Sequence, residues 1–258
     1  MLLILFAAYK KKNGFQWKFD KDKLRRMLRI SYPFIFSSVL VTIYAQTDKV
    51  MLKAMIDTTT VAYYSVAVTL AGAFAIIPSA LIEGFRPEVM SLKFENEELY
   101  QKRLRQLYSL VFWLSGCYCV IITVFARPII LIVYGDKYLP AVPALSLIVW
   151  YSAFSYFGAV NNLYLVAENK TAWVQIITLF GAIFNIILNC IMIPRMSIVG
   201  AALATLLTQV LSNFILFLVI PPLRPCFKIM LQGITFKNIG FKELLCSVFK
   251  RKKSGAGK

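Results

Sequence analysis

The feature that most restricts the fold of this chain is a series of long apolar segments separated by short polar ones. Six of them reach the roughly 20 residues that a helix needs to cross the hydrocarbon core of a bilayer. They lie at about 30–55, 60–83, 107–134, 141–166, 173–194 and 199–221. Because lipid offers no partners to backbone amides and carbonyls, segments of this length are expected to be helical. The sequence predicts an all-α, polytopic membrane helix bundle with about six transmembrane helices.

The composition agrees with this class. Hydrophobic residues make up 59% of the 258 residues, charged residues only 16%, and the mean hydropathy is +0.68. The net charge of +17 would suit nucleic acid. However, the basic residues lie in the gaps between apolar segments and in the tail, and no nucleic-acid-binding motif accompanies them. We expect the lipid bilayer, and no nucleic acid, as a partner.

Catalytic and metal chemistry is disfavoured by the residue types present. Histidine is absent, and the five cysteines show no metal-ligand spacing. The chain therefore lacks the commonest general base and the commonest ligand of transition metals. The predicted external connections, near 57–60, 135–140 and 195–198, are too short to hold an active site. We expect no enzyme activity, no metal and no cofactor.

The distribution of Lys and Arg predicts the orientation in the membrane. Nine lie in 10–29, five in 84–106, one at Lys170 and nine in the tail after Leu223. The other face carries four, namely Lys53, Arg127, Lys137 and Arg195. Since cytoplasmic loops carry the excess of basic residues, both termini are predicted to be cytoplasmic.

The chain divides into three parts. Residues 1–29 combine MLLILFAAY, expected to be the inner end of a helix that starts earlier, with a basic cytoplasmic linker. Residues 30–222 form the six-helix lobe. Residues 223–258 form a basic tail that is either an interfacial amphipathic segment on anionic lipid or a poorly ordered extension.

Two segments are less regular than the others. Segment 107–134 contains Pro128, which predicts either a bent helix or a helix followed by a re-entrant turn. The charged segment 91–106 is predicted to be a solvated helical extension at the inner face, because its acidic residues precede basic ones at helical spacing.

Charges inside the first apolar segment mark a candidate site. Asp48 and Lys49 lie about two helical turns from its outer end, and Tyr44 stands one turn before Asp48 on the same face. A charge inside the membrane is expected to face a cavity or a partner, so these residues are candidates for binding a polar headgroup or a coupling cation. The alternative is a pair near the interface whose side chains reach outward to water.

Other polar residues are weaker candidates. Arg86, at the inner end of the second segment, and Arg127, near the outer surface, are each placed to meet a phosphate or to anchor the helix at the interface. The amides of the last three segments are predicted to face inward and to form interhelical hydrogen bonds. They are Asn161, Asn162, Gln175, Asn185, Asn189, Gln209 and Asn213.

The order of several stretches resembles a known family. A basic linker precedes RISYPFIFSSVLVTIYAQTDKVML, followed by VAYYSVAVTL, FARPIILIVYGDKYLPAVPALSLIVWYSAF and SIVGAALATLLTQVL. This order resembles the carboxy-terminal half of polysaccharide (O-antigen type) flippases of the multidrug/oligosaccharidyl-lipid/polysaccharide exporter superfamily. The resemblance covers about Met1 to Pro222, and the tail lies outside it.

This resemblance implies one lobe of a two-lobe transporter in the bacterial cytoplasmic membrane. It implies transfer of undecaprenyl-pyrophosphate-linked oligosaccharide to the outer leaflet by alternating access, with Asp48 and Lys49 in the polar cluster of a cavity-lining helix. It also implies an amino-terminal lobe, or polysaccharide-assembly proteins, as partners. The alternatives are an exporter of drugs or cell-wall precursors, a non-transporting scaffold, and a membrane glycosyltransferase, which the short external loops disfavour.

Overall fold

The computed structural model describes residues 45–234 together with Lys21, Asp22, Arg25 and Met27. Contacts divide the chain into two units, Met1–Gln46 and Thr47–Lys258. In the first unit, Lys21, Asp22, Arg25 and Met27 are helical and exposed. In the second unit, residues 47–234 form a bundle of helices.

The bundle confirms the predicted all-α class, since its described residues contain helices and turns but no strand. Helix α1 is described from residue 45 and ends at residue 55. It is followed by α2 (Thr58–Gly72), a 3-10 turn (Ala73–Ala75), α3 (Ile76–Glu95), α4 (Glu97–Tyr134), a second 3-10 turn (Asp136–Ala141) and α5 (Val142–Ala167). The last elements are α6 (Thr171–Val210), a π-helical turn (Leu211–Ile215), α7 (Leu216–Val219), a 3-10 turn (Pro221–Leu223) and α8 (Arg224–Ile234).

Four helical stretches of the described residues are long and apolar enough to cross a membrane. They are Thr58–Glu95, Glu97–Tyr134, Asp136–Ala167 and Thr171–Val219. The first three contain the predicted segments 60–83, 107–134 and 141–166. The fourth contains 173–194 and all but the last two residues of 199–221. The remaining predicted segment, 30–55, is described only from residue 45.

The fourth stretch holds two segments because α6 turns back on itself at Ser197, whose backbone is not helical (φ 52°, ψ −128°). The Asn185 Nδ2 and Thr205 Oγ1 atoms are 3.4 Å apart, whereas 20 residues of straight helix would span about 30 Å. Glycine is required at position 200, because a Cβ there would collide with the carbonyl of Met192. We name the antiparallel halves α6a (171–196) and α6b (198–210).

The segments 107–134 and 91–106, which the sequence marks as less regular, have different structures. Pro128 lies inside α4, which continues as a helix to Tyr134, so the re-entrant turn is excluded. The helical extension predicted over 91–106 is helical on both sides of Asn96 but is interrupted there, because Asn96 adopts an extended backbone that ends α3 and starts α4. The Asn96 side chain accepts a hydrogen bond from the Leu99 amide at 3.0 Å, which satisfies one of the free donors of the first turn of α4.

The start of the tail is part of the folded lobe. In α8, Cys226, Ile229 and Met230 are buried in the same core as Tyr108 of α4. A poorly ordered extension is therefore excluded for Arg224–Ile234. The polybasic run at 250–253 lies outside the described residues.

Contacts between connections define what we call the basic end of the bundle. Lys93, near the end of α3, pairs with Glu97 at 3.0 Å and with Glu168 in the α5–α6 turn at 2.6 Å. Lys170 of the same turn donates to the Pro222 carbonyl, just before α8, at 3.2 Å. The connections at Asp57, Gly135 and Ser197 lie at the opposite end, so successive connections alternate between the ends as predicted.

Candidate functional site

Asp48 is the acceptor at the centre of a polar cluster. Its Oδ2 accepts hydrogen bonds from the hydroxyls of Tyr64, at 2.6 Å, and Thr205, at 2.7 Å. Its Oδ1 accepts a hydrogen bond from the Asn189 amide at 2.6 Å. The donors belong to α2, α6b and α6a, so the hairpin at Ser197 brings two of them to α1. Hydrogen bonds to an ionised acceptor are roughly twice as strong as neutral ones, and together they hold the carboxylate.

A second amide supports this arrangement. Asn185 lies one turn before Asn189 on α6a, and its Oδ1 accepts from the Asn189 Nδ2 at 3.1 Å. Its own Nδ2 donates to the Thr205 hydroxyl at 3.4 Å. The Thr205 Oγ1 is also 2.9 Å from the carbonyl of Ala201. Because a hydroxyl has one proton, Thr205 donates it either to Asp48 or to that carbonyl at any one time.

The cluster lies at one depth in the bundle. Thr205 and Asn189 are each eight residues from Ser197, which corresponds to about 12 Å of helix. Asp48 is seven residues before the last residue of α1, and Tyr64 is six residues after the first residue of α2. The predicted depth of Asp48, about two turns from the helix end, agrees with this geometry.

The polar side chains of this cluster are largely shielded from solvent. Asn189 is fully buried, Tyr64 is 2% exposed, and Asp48 is half-buried. Among the described residues, no Lys or Arg forms an ion pair with Asp48. The Asn189 Oδ1 is buried and has no hydrogen-bond partner in the same part of the chain. Buried polar atoms without a hydrogen-bond partner are rare in folded proteins, so this oxygen is a candidate ligand atom.

The other predicted site residues do not join this cluster. Lys49 is half-buried and has no hydrogen bond or ion pair to another described residue. Tyr44 lies outside the described residues. Arg86 pairs with Glu83 through two contacts of 2.7 Å near the basic end. Arg127 is exposed on α4 and is linked to no other described residue by a hydrogen bond or ion pair.

Sequence reasoning missed four members of the site: Tyr64, Asn185, Asn189 and Thr205. Both asparagines were predicted to be buried interhelical donors, and they are. The four-residue spacing of Asn185 and Asn189 placed them on one face, but nothing in the sequence paired that face with Asp48. The inward prediction is wrong for Asn162 and Gln175, which are exposed.

The arrangement limits what the site can bind. The described residues hold no group of three or more His, Cys, Asp or Glu that could bind a metal. The site offers one carboxylate and several neutral oxygens. Protein sites for divalent cations such as Ca²⁺ draw on several carboxylate and carbonyl oxygens. A single carboxylate instead matches the charge of one proton or one monovalent cation.

Comparison with a solved structure identifies the fold. The fold matches a multidrug resistance MATE family transporter of the MOP superfamily in its outward-facing conformation, with a TM-score of 0.63 and 18% sequence identity. The match covers 80% of this chain and 49% of that one. The chain is thus a helical, multi-pass membrane protein with the fold of a MOP-superfamily transporter.

Sequence comparison then gives the family. The family described as "Polysaccharide biosynthesis protein" matches residues 1–143, and the chain belongs to it. The expected relationship to the polysaccharide flippases is confirmed.

Two curated relatives are archaeal. "Probable flippase AglR" of Haloferax volcanii is 26% identical over 184 residues, covering 69% of this chain and 38% of the relative. "Uncharacterized membrane protein MJ1068" of Methanocaldococcus jannaschii is 27% identical over 132 residues, covering 51% of this chain and 26% of the relative. The chain spans less than half the length of these relatives.

Proposed function

We propose that this chain is one lobe of a flippase that moves a lipid-linked oligosaccharide from the inner to the outer leaflet by alternating access. The family, the flippase among its relatives and the transporter fold support this proposal. The carrier would be a polyprenyl pyrophosphate such as undecaprenyl pyrophosphate. The membrane would be the cytoplasmic membrane, with the basic end facing the cytoplasm, because cytoplasmic loops carry the excess of Lys and Arg.

The observation that carries a role for the site is the buried Oδ1 of Asn189, which has no hydrogen-bond partner among the described residues and belongs to the side chain that donates to the Asp48 carboxylate. We assign Asp48 to a coupling cation, either a proton or a monovalent metal ion. Each side chain that now donates to Asp48 also carries an oxygen with lone pairs, so a rotation of the Asn189 amide or of a hydroxyl would turn a donor into a ligand. Binding would then change the bonds between α1, α2 and the α6 hairpin.

The remaining predicted residues have separate proposed roles. Lys49 follows Asp48 by about 100° around the helix, and its ammonium would meet the pyrophosphate in the cavity. Arg127 would meet the same group near the outer surface or anchor α4 to headgroups. The Glu83 carboxylate neutralises Arg86, so a role for Arg86 at the inner mouth would require this pair to open.

The test uses a complete transporter, made of this chain and an amino-terminal lobe of the same family, in a strain without its own flippase. We expect the unmodified protein to restore surface polysaccharide and Asp48→Asn to reduce export at least tenfold, because the amide removes the charge that would bind the cation. Asp57→Asn is the matched control. Asp57 is exposed at the start of α2, and asparagine caps a helix equally well.

Two results would contradict the proposal. Failure of the unmodified transporter to restore polysaccharide would indicate a different cargo or a scaffold. Undiminished export by Asp48→Asn, with normal membrane insertion, would remove Asp48 from the mechanism.

A further inference from the structure

A cluster of positive charge surrounds α8 at the basic end. Arg224 and Lys228 are exposed and four residues apart, so they lie on one face of this helix. Arg105 of α4 reaches the other end of α8, where its Nη1 is 3.3 Å from the Gln232 Oε1. Lys170 reaches the chain just before α8, at the Pro222 carbonyl. Helix α8 itself contains no Asp or Glu.

These four cations differ from the other basic residues near the same end. Arg86, Lys93 and Arg103 each pair with a glutamate, at 2.7, 2.6 and 2.8 Å for the shortest contacts. Arg105, Lys170, Arg224 and Lys228 form no ion pair with any acidic residue of the described chain. Their hydrogen bonds go to neutral carbonyl oxygens, so no acidic side chain of the described residues compensates the charge. Lys228 forms no hydrogen bond or ion pair with another described residue.

The position of α8 brings this charge to the membrane surface. The last membrane-spanning stretch ends at Val219, and α8 begins at Arg224. Leu218 and Val219 are 52% and 58% exposed, as expected for side chains in contact with lipid. Leu231 is 50% exposed on the same face of α8 as Lys228. An apolar side chain between cations is the pattern of a helix that lies at the boundary of headgroups and acyl chains.

The helix is held rigidly in this position. A Cβ at Gly233 would lie 2.7 Å from the Tyr108 Cβ and 2.9 Å from the Arg105 carbonyl, so glycine allows α8 to lie directly on α4. The buried Tyr108 hydroxyl is 3.3 Å from the Cys226 Sγ. The exposed face of α8 is therefore fixed by its buried face.

We propose that the exposed face of α8, with Arg105 and Lys170 beside it, is a binding surface for the headgroups of acidic phospholipids. The phosphates would supply the missing counter-charge to Arg224 and Lys228, and Leu231 would enter the upper part of the acyl region. The leaflet at the basic end would then hold this lobe by its α8 helix. This binding needs neither transport nor a second lobe.

The test measures the thermal midpoint of the purified full chain in mixed micelles titrated with phosphatidylglycerol or with phosphatidylcholine. We expect the thermal midpoint to rise with phosphatidylglycerol and not with phosphatidylcholine. The rise should be smaller at high salt, because salt screens the attraction between the cations and the headgroups. Lys228→Gln should weaken the apparent affinity about fivefold, and Arg224→Gln with Lys228→Gln about 25-fold, since each cation near a charged surface contributes a similar amount. The matched control is Lys53→Gln with Lys137→Gln, two exposed lysines toward the opposite end.

Three results would overturn the proposal. Equal responses to the two lipids would show that no acidic headgroup is recognised. An equal response to inorganic phosphate would show a site for soluble anions instead of lipid. An unchanged titration with the charge reversal Lys228→Glu, which leaves the carbonyl contacts of Arg224 intact, would remove α8 from lipid binding.

Discussion

Asp48 shows how a charged side chain is kept inside an apolar bundle. Its three donors are neutral, and each comes from a different helical segment. Removing one donor from such a group leaves the carboxylate less well compensated, which costs more than the hydrogen bond contributes when it is present. Single substitutions in the cluster should therefore have measurable effects, so the role of each residue can be tested separately.

Asn189 is the residue on which the cation assignment depends. We expect Asn189→Leu, of similar size, to raise the cation concentration needed for half-maximal thermal stabilisation on the order of tenfold, the loss of one contact to a charged group. The measurement compares sodium chloride with choline chloride at several pH values. A response to sodium identifies a metal ion, and a response to pH alone identifies a proton.

Asn162→Leu is the control for this experiment, because Asn162 is an exposed amide outside the cluster. It should leave the cation response unchanged. A normal response in Asn189→Leu would show that the Oδ1 of Asn189 is not a ligand.

At the scale of elements, two contacts of the lobe require the backbones of neighbouring segments to lie very close together. The packing of α8 against α4 depends on Gly233, and the hairpin of α6 depends on Gly200. Each contact joins two segments that do not form one continuous helix. The helix preferences of the individual residues therefore do not create these contacts. Packing in a membrane relies on such small residues, because lipid supplies little hydrophobic drive between helices.

Gly233→Ala tests the contact of α8 with α4. The added methyl group overlaps Tyr108 and the backbone of α4, and we expect a loss of about 1–3 kcal/mol, as for other overpacked contacts. Gly116→Ala is the matched control, since nothing lies within 4 Å of its Cβ position. It should be neutral or slightly stabilising, because alanine favours a helix over glycine. Equal melting of the two variants would show that α8 does not rest on this contact.

At the scale of the molecule, the bundle has two chemically different ends. One end holds the cations around α8 and the basic residues that pair with glutamates. The other end holds the short turns near Asp57, Gly135 and Ser197. The cation candidate Asp48 lies toward the second end. With the basic end in the cytoplasm, the Asp48 site would lie in the outer half of the membrane, while α8 would lie on the inner leaflet.

Cysteine labelling checks this orientation. In a variant without native cysteines, a cysteine replacing the exposed Asp136 should react with a membrane-impermeant maleimide in intact cells. A cysteine replacing the exposed Lys228 should react only after the membrane is opened. The reverse pattern would invert the predicted topology, and with it the leaflet assigned to α8.

The sequence by itself determined the class of the protein and the course of its chain. Apolar length predicted the spans from 60 to 221, because a helix in lipid must satisfy its own backbone over a fixed thickness. The charged residues of the connections predicted their alternation between two ends. A single feature, Asp48, was sufficient to locate the candidate site along the chain.

Only the tertiary structure decided what surrounds Asp48. Its donors lie 16, 141 and 157 residues away, and no pattern within one helix encodes a pairing over such separations. The same holds at the basic end, where Asn96 divided a segment with an uninterrupted helical charge pattern and Gly233 fixed α8 on α4. Spans follow from the local cost of placing backbone in lipid. The site and its partners follow from which helix faces fit together.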